Sequence, residues 1–254
     1  MLTLIIRAPN VKSTAHSSGL LAYTRVVTGK RAAMRADTIA AIIRKARQQI
    51  ETKGAANISL REIARDLDMA SSAIYRYFES RDQLLTVLII DAYNRLGVAI
   101  EDADAACDRD DLIGRWTAIT HAFRDWALSN QADYGLVFGT PVPGYEAPAD
   151  TNAAGTRYTN VVVQLVADAT AHGCVSEIEP PKIRGLVSEY RNVKKAIGVN
   201  APDTTLLAGL SAWASVFGAI NLEIFGHVGN VYTNPEIHFA ALVDMLGRQV
   251  VGLT

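Results

Sequence analysis

An all-α fold is what this sequence predicts, with a small N-terminal helical unit ahead of a larger helical body. Three observations carry that expectation. Apolar residues recur at helical spacing from Met34 onward, strand-like alternation is nearly absent, and Ser and Gly stand where helices would start and stop.

Taken in order, Ile39, Ile42, Ile43, Ala46 and Ile50 fall on one face of a first helix, which Gly54 ends. Ser59 opens a second helix, and Glu62, three residues on, completes a capping box; Leu60, Ile63, Ala64 and Leu67 form its buried side. After Asp68 and Met69 a short third helix is expected from Ala70 or Ser71, with Ile74 and Phe78 inward. A fourth, over residues 80–105, opens on a second capping box, Ser80 with Gln83, and carries Leu84, Leu85, Leu88, Ile89, Leu96 and Ile100. Residues 111–130 hold Leu112, Trp116, Ile119, Phe123 and Trp126 at helical spacing. A Gly/Pro-rich loop is expected over 135–148, then helices near 151–172, 181–196, 203–226 and 235–251.

Charge is unevenly spread. The 254 residues carry a net −1, yet residues 1–81 hold 14 Lys/Arg against 6 Asp/Glu, while the rest hold 11 against 20. A basic first third on an acidic body is the asymmetry of a chain that brings one end to a polyanion. Two cysteines, Cys107 and Cys174, make neither a disulfide framework nor a zinc site and fit a reduced, cytoplasmic setting. No phosphate-cradling glycine loop, nucleophile elbow or His-Glu-x-x-His motif stands in the sequence; the five histidines are scattered, and the one pair open to a metal, His227 and His238, has no ligand set nearby and reads better as surface or loop histidines, so neither a cofactor nor a metal is expected. Met1 to Ile6 is too short for a secretory apolar segment, and no later run reads as a membrane span.

Residues 59–81, SLREIARDLDMASSAIYRYFESR, read as two short helices around a tight turn. Ala64 sits where the helices cross, and the turn needs a near-left-handed residue, which Asp68 tolerates. The second helix displays Ser71, Ser72, Ala73, Tyr75, Arg76 and Tyr77, groups suited to base edges, thymine methyls and phosphates. A plain helical hairpin with a solvated polar face has the same pattern.

The string ending IYRYFESRDQLL also resembles the TetR family signature, and with the flanking helices the likeness covers roughly residues 34–100. The resemblance implies a transcriptional regulator rather than an enzyme. It puts Ser59 and Arg61 on phosphates, Ser71, Ser72, Ala73 and Arg76 on base edges, Tyr75 and Tyr77 on phosphate or under the backbone, and Arg81 on a further phosphate. Two positions depart from the pattern: Asp68 stands for the usual turn glycine, and Ala70 for a capping Ser/Thr. Farther on, WASVFGAINLEIFGH (residues 213–227) is similar to a C-terminal domain class marked by Trp, His-Gly, an acidic residue and Gly, with Phe217 in place of the His.

The expected layout is a basic arm (residues 1–33), a helix-turn-helix (34–81) and an effector-binding and dimerisation domain (82–254). The arm suits a DNA-contacting extension, a leader, or residues upstream of a true start at Met34. Trp116, Phe123, Trp126, Phe138, Tyr158 and Trp213 are the candidate walls of a pocket for a small apolar or amphipathic effector. Ala208, Ala212, Ser215 and Ala219, with Phe239, Leu242, Val243 and Leu246, are the candidate homodimer contact, since a helix apolar or small nearly all round must be covered on both sides. The partners expected are a double-stranded palindromic operator, that effector and a second copy, with no membrane. Control by a protein partner, or a helical enzyme, are the rival readings.

Overall fold

The computed structural model describes residues 30–253 apart from 175 and 177, so residues 1–29 of the expected arm lie outside it. The described residues are helical with no strand. In chain order they form α1 (Lys30–Lys53), α2 (Leu60–Asp66), α3 (Arg81–Ala105), α4 (Leu112–Ser129), α5 (Gln131–Phe138), α6 (Thr151–Gly155), α7 (Arg157–Ala171), α8 (Leu186–Ile197), α9 (Asp203–Ile224) and α10 (Pro235–Met245). The chain after α10 continues as a π-helical stretch, Leu246–Val251.

Several boundaries differ from the sequence reading: the helix expected from 181 begins at Leu186, and the one expected to 251 is α-helical only to Met245. Helix α1 is already formed at Lys30, the first described residue, ahead of the expected Met34. The expected loop from 135 is helical as far as Phe138: a Cβ on Gly135 would meet nothing, so that glycine rides in the helix at only its propensity cost. The expected helix over 151–172 is broken between α6 and α7.

The described residues cluster in two compact units. One comprises residues 30–95 and 130–155, the other 96–129 and 156–253. Residues 82–95 and 130–155 thus join the helix-turn-helix, beyond the boundary expected at 81.

The first unit has an aliphatic core. Ile42, Ile43, Ala46 and Ile50 of α1 meet Leu60, Ile63 and Ala64 of α2, Ile74, Phe78, and Leu84, Leu85, Leu88 and Ile89 of α3. Each such large side chain contributes about 1.5–3 kcal/mol by leaving water. Helix α5 packs on α1, and its buried Asp133 accepts from Arg47 Nε at 3.2 Å and pairs with Arg95. Asp91 pairs with both arginines as well.

The second unit is held by α4 against α7, α9 and α10. Arg115, fully buried, donates from Nε to Asp104 at 2.9 Å and from Nη1 to Asp168 at 2.8 Å. Burial pushes the Asp104 carboxyl up, but hydrogen bonds from Arg109 and Arg115 outweigh it and hold it below its ordinary value. Arg124 grips Glu223 with two bonds, at 2.8 and 2.6 Å. Near the chain's end, Gly247 permits a close approach: a Cβ there would lie 2.5 Å from Ile113 Cδ1 and 2.7 Å from Trp116 Cδ1.

Candidate nucleic-acid interface

The site is built around one turn. Helix α2 ends at Asp66 and the chain reverses through Asp68, whose φ of +53° makes it the one non-glycine residue with positive φ among the described residues. A short acidic side chain tolerates this region, as the sequence reading required. The Met69 N–H reaches back to the Ala64 carbonyl at 2.8 Å and closes the turn.

Ser59 caps α2, its Oγ accepting the Glu62 N–H at 3.4 Å. The reciprocal half of the expected capping box is not made. The Ser59 N–H donates to Gln49 Oε1 at 2.9 Å, and Glu62 instead accepts from Lys53 Nζ at 2.7 Å. That bond and the adjacent ammonium hold the Glu62 carboxyl below its ordinary value.

The expected third α-helix is replaced by turns over 71–73 and a single 3₁₀ turn, Ile74–Arg76. Its bonds span three residues: the Ala73 N–H donates to Ala70 at 2.7 Å and the Arg76 N–H to Ala73 at 3.2 Å. Ala70 offers no capping oxygen, and two adjacent serines compete with the backbone for hydrogen bonds, so the tighter, shorter geometry holds. Ile74 and Phe78 are the buried anchors. Ser71, Ser72, Tyr75 and Arg76 are exposed, while Ala73 and Tyr77 are half-buried. Arg61 is exposed on α2 and Ser59 half-buried.

Arg81 is engaged within the chain. Its Nη2 donates to the carbonyls of Ala55 at 3.3 Å and Ala56 at 2.9 Å, bracing the 3₁₀ turn that precedes α2. The sequence reading missed Arg35, whose Nη1 donates to the Arg76 carbonyl at 3.2 Å and whose guanidinium lies 5.0 Å from the Tyr77 ring centre. No spacing rule links residues so far apart; its position within the basic first third was the one available signal.

In the second unit, four of the six candidate pocket residues come together. Phe123 stacks on Trp213 at 5.6 Å and on Tyr158 at 6.2 Å, and Trp116 meets Trp213 edge-on at 6.5 Å. The Trp116 indole N–H donates to the Val243 carbonyl at 2.9 Å, which docks the ring against α10. Phe217, one turn beyond Trp213 and not among the candidates, joins the stack at 4.8 Å from Phe123. Trp126 is buried on α4. Phe138 belongs to the first unit, edge-on to Tyr93 and tilted against Tyr134.

The candidate dimer contact needs correction. Ala208, Ala212, Phe239, Val243 and Leu246 are buried within the single chain and offer no surface to a second copy. Ser215 is exposed, and Ala219 and Leu242 are half-buried. The apolar residues α9 leaves open are Leu210, Ala214, Gly218 and Leu222, one every four residues, followed by Phe225; on α10 they are Ile237, Ala240, Ala241 and Met245. By length and composition α3 and α9 are long and apolar enough to cross a membrane, but α3 packs its Leu84, Leu85, Leu88 and Leu96 fully inside the fold.

Helix α2, a left-handed turn and the short 3₁₀ segment after it, with hydroxyls, an aromatic and an arginine facing out beside a basic helix, define a helix-turn-helix DNA-binding regulator. Residues 42–88 match the family described as bacterial regulatory proteins, tetR family, and residues 116–246 match the tetracyclin repressor-like C-terminal domain. HTH-type transcriptional regulators of Mycobacterium tuberculosis (strain ATCC 25618 / H37Rv) and Mycobacterium bovis are each 38% identical to this chain over 224 residues, covering 86% of it and 94% of the relative. The crystal structure of a regulatory protein, SCO4313, aligns with a TM-score of 0.71 at 32% identity, covering 86% of this chain and 98% of that one. A tetR-family regulatory protein from Rhodococcus RHA1, at 20% identity and a TM-score of 0.54, shares the fold. The chain belongs to the TetR family and is a DNA-binding transcriptional regulator rather than an enzyme.

Proposed function

We propose that the protein is a cytoplasmic, homodimeric repressor of a palindromic operator, released when a small apolar or amphipathic ligand enters the second unit. The observation that carries this reading is the exposed set Ser71, Ser72, Tyr75 and Arg76, held outward by the buried anchors Ile74 and Phe78. Two such segments read successive major grooves when about 34–36 Å apart, which requires two chains. The open apolar rows of α9 and α10 suit an isologous helix-to-helix contact between copies. Ser59 and Arg61 then lie where phosphates pass, and Arg81 acts by bracing the turn before α2. The ring stack of Phe123, Tyr158, Trp213 and Phe217 is the place for an apolar ligand, which must part those rings to enter.

The test is selection of duplexes from a random library by the purified protein, followed by sedimentation of the complex. A palindromic sequence bound by two chains is expected, with affinity falling steeply as salt rises. Arg76→Ala should cost about 1–3 kcal/mol on that sequence if Arg76 reads a guanine. Failure to recover any preferred duplex would overturn the reading. For the ligand, thermal-shift screening of apolar metabolites should find a compound that raises the melting temperature and weakens the complex; reciprocity requires DNA to weaken that compound by the same factor.

A further inference from the structure

We infer that the exposed N-terminal end of α1, residues 30–37, is an auxiliary phosphate-contacting surface held beside the recognition segment by Arg35. The inference rests on the DNA-binding reading above and adds to it a surface upstream of the residues the family match covers, which begin at 42.

Length comes first. Helix α1 is formed from Lys30, the first described residue, but its first buried residue is Ile42, and the first apolar residue packed against the core is the partly buried Ile39. Residues 30–38 therefore extend about 13 Å beyond what the core requires. Within this stretch only Ala32, Ala36 and Thr38 are half-buried, and Arg35 lies over the Tyr77 ring.

Charge comes second. Lys30, Arg31 and Arg35 are all exposed, and Asp37 is the only acidic residue between 30 and 50. The first turn of α1 holds no acidic residue. Among the described residues no carboxylate lies in ion-pair range of Lys30 or Arg31. This arrangement suits an external polyanion.

Position comes third. Arg35 donates to the Arg76 carbonyl and lies over the Tyr77 ring, fastening this end of α1 to the segment that displays Ser71, Ser72, Tyr75 and Arg76. Arg31 lies one turn upstream on the same face. A duplex seated on the recognition segment would carry its backbone past Arg31 and Lys30, outside the bases being read. The occupant this geometry favours is the phosphate backbone flanking each half-site, where contacts add affinity without reading sequence.

The experiment compares wild type, Lys30→Ala/Arg31→Ala and Arg35→Ala by fluorescence anisotropy over a potassium chloride series. Two probes are used: a random-sequence duplex, and the duplex that wild type selects from a library. The double variant should melt like wild type, since both side chains are exposed and alanine favours helix. Its slope of log affinity against log salt should fall by about 0.9 for each phosphate no longer neutralised, roughly two to four units for a dimer, on both probes alike. Arg35→Ala should in addition lower the preference for the selected duplex over the random one, because the recognition segment loses its support. An unchanged slope for the double variant on both probes overturns this inference and leaves the DNA-binding reading standing. If wild type itself shows no salt-sensitive binding, the DNA-binding reading falls first. If the double variant loses only capture of an acidic protein, the surface has a different occupant and the inference is overturned.

Discussion

The two units hold their shape by different means and turn different surfaces outward. The first wraps an aliphatic core in charge: Arg47, Asp91, Arg95 and Asp133 tie α1, α3 and α5 together, and the segment after Asp68 presents hydroxyls and a guanidinium. The second centres on stacked rings, keeps Arg115 and Arg124 paired inside, and leaves rows of Leu, Ala, Ile and Met uncovered. A polar surface with fixed cations suits phosphate; an apolar row suits another protein surface. On the reading proposed above one surface reads DNA and the other joins two copies, so substitutions on the two should fail in different ways.

The largest contrast lies within α9. Ala212→Arg drives a guanidinium into a fully buried position and should cost about 4 kcal/mol or more, seen as loss of cooperative melting. Leu222→Arg, ten residues on but in the open row, should melt like wild type and sediment as a monomer. If both variants melt alike, the faces have been assigned wrongly.

Next comes the charge around the first core. Asp133→Ala leaves Arg47 and Arg95 short of one partner and should cost about 2–3 kcal/mol, somewhat less than a wholly buried pair because both arginines keep some water. Asp244→Ala, which removes the exposed pair with Arg248, should change urea stability by no more than about 0.5 kcal/mol. Equal effects would show that the first unit does not depend on its charge network.

Asp68→Val asks whether the turn tolerates a stiff side chain at positive φ, and should cost about 1–2 kcal/mol while also weakening DNA binding. The smallest effect belongs to His172 in the second unit. Its ring Nδ1–H donates to the Asp168 carbonyl at 2.8 Å and its Nε2 reaches the Asp110 carboxylate at 3.3 Å, and those two bonds raise its pKa. A raised folded pKa favours the folded state while the imidazole is charged. The stabilisation is therefore complete below the unfolded value of about 6.5 and disappears as pH climbs through the raised folded value. The melting-temperature advantage of wild type over His172→Gln should shrink over that window; an advantage that grows with pH would contradict it.

What the sequence made legible was local. Gly54, Ser59 and Ser80 mark helix ends through backbone groups within a few residues of each, and Asp68 announces its turn through its own sterics. The shortened third helix was less visible, because the loss of a cap at Ala70 only weakens a helix without forbidding it. Helix α5 was hidden by Gly135 and Gly139, which read as loop. Gly139 is in fact a close-approach glycine, since a Cβ there would lie 2.3 Å from the Gly135 carbonyl oxygen. The faces of α9 were not legible at all. A helix small or apolar nearly all round carries no phase in its periodicity, and its inward side is set by distant partners such as Val166, which lies 3.5 Å from the place of a Cβ on Gly209. The ring stack was mostly legible because large aromatics find the core whatever their neighbours; Phe138 went elsewhere because its helix did.

The ring stack also gives the molecule an optical property. All three tryptophans of the chain, Trp116, Trp126 and Trp213, belong to the second unit, and the first has none. Indole emission therefore reports one half of the protein only. Trp213, with a phenyl ring against each of two sides, changes its surroundings as soon as Phe123 or Phe217 moves. Any compound that parted those rings would be visible without an added label, while events confined to the DNA-reading half stay dark unless they are transmitted.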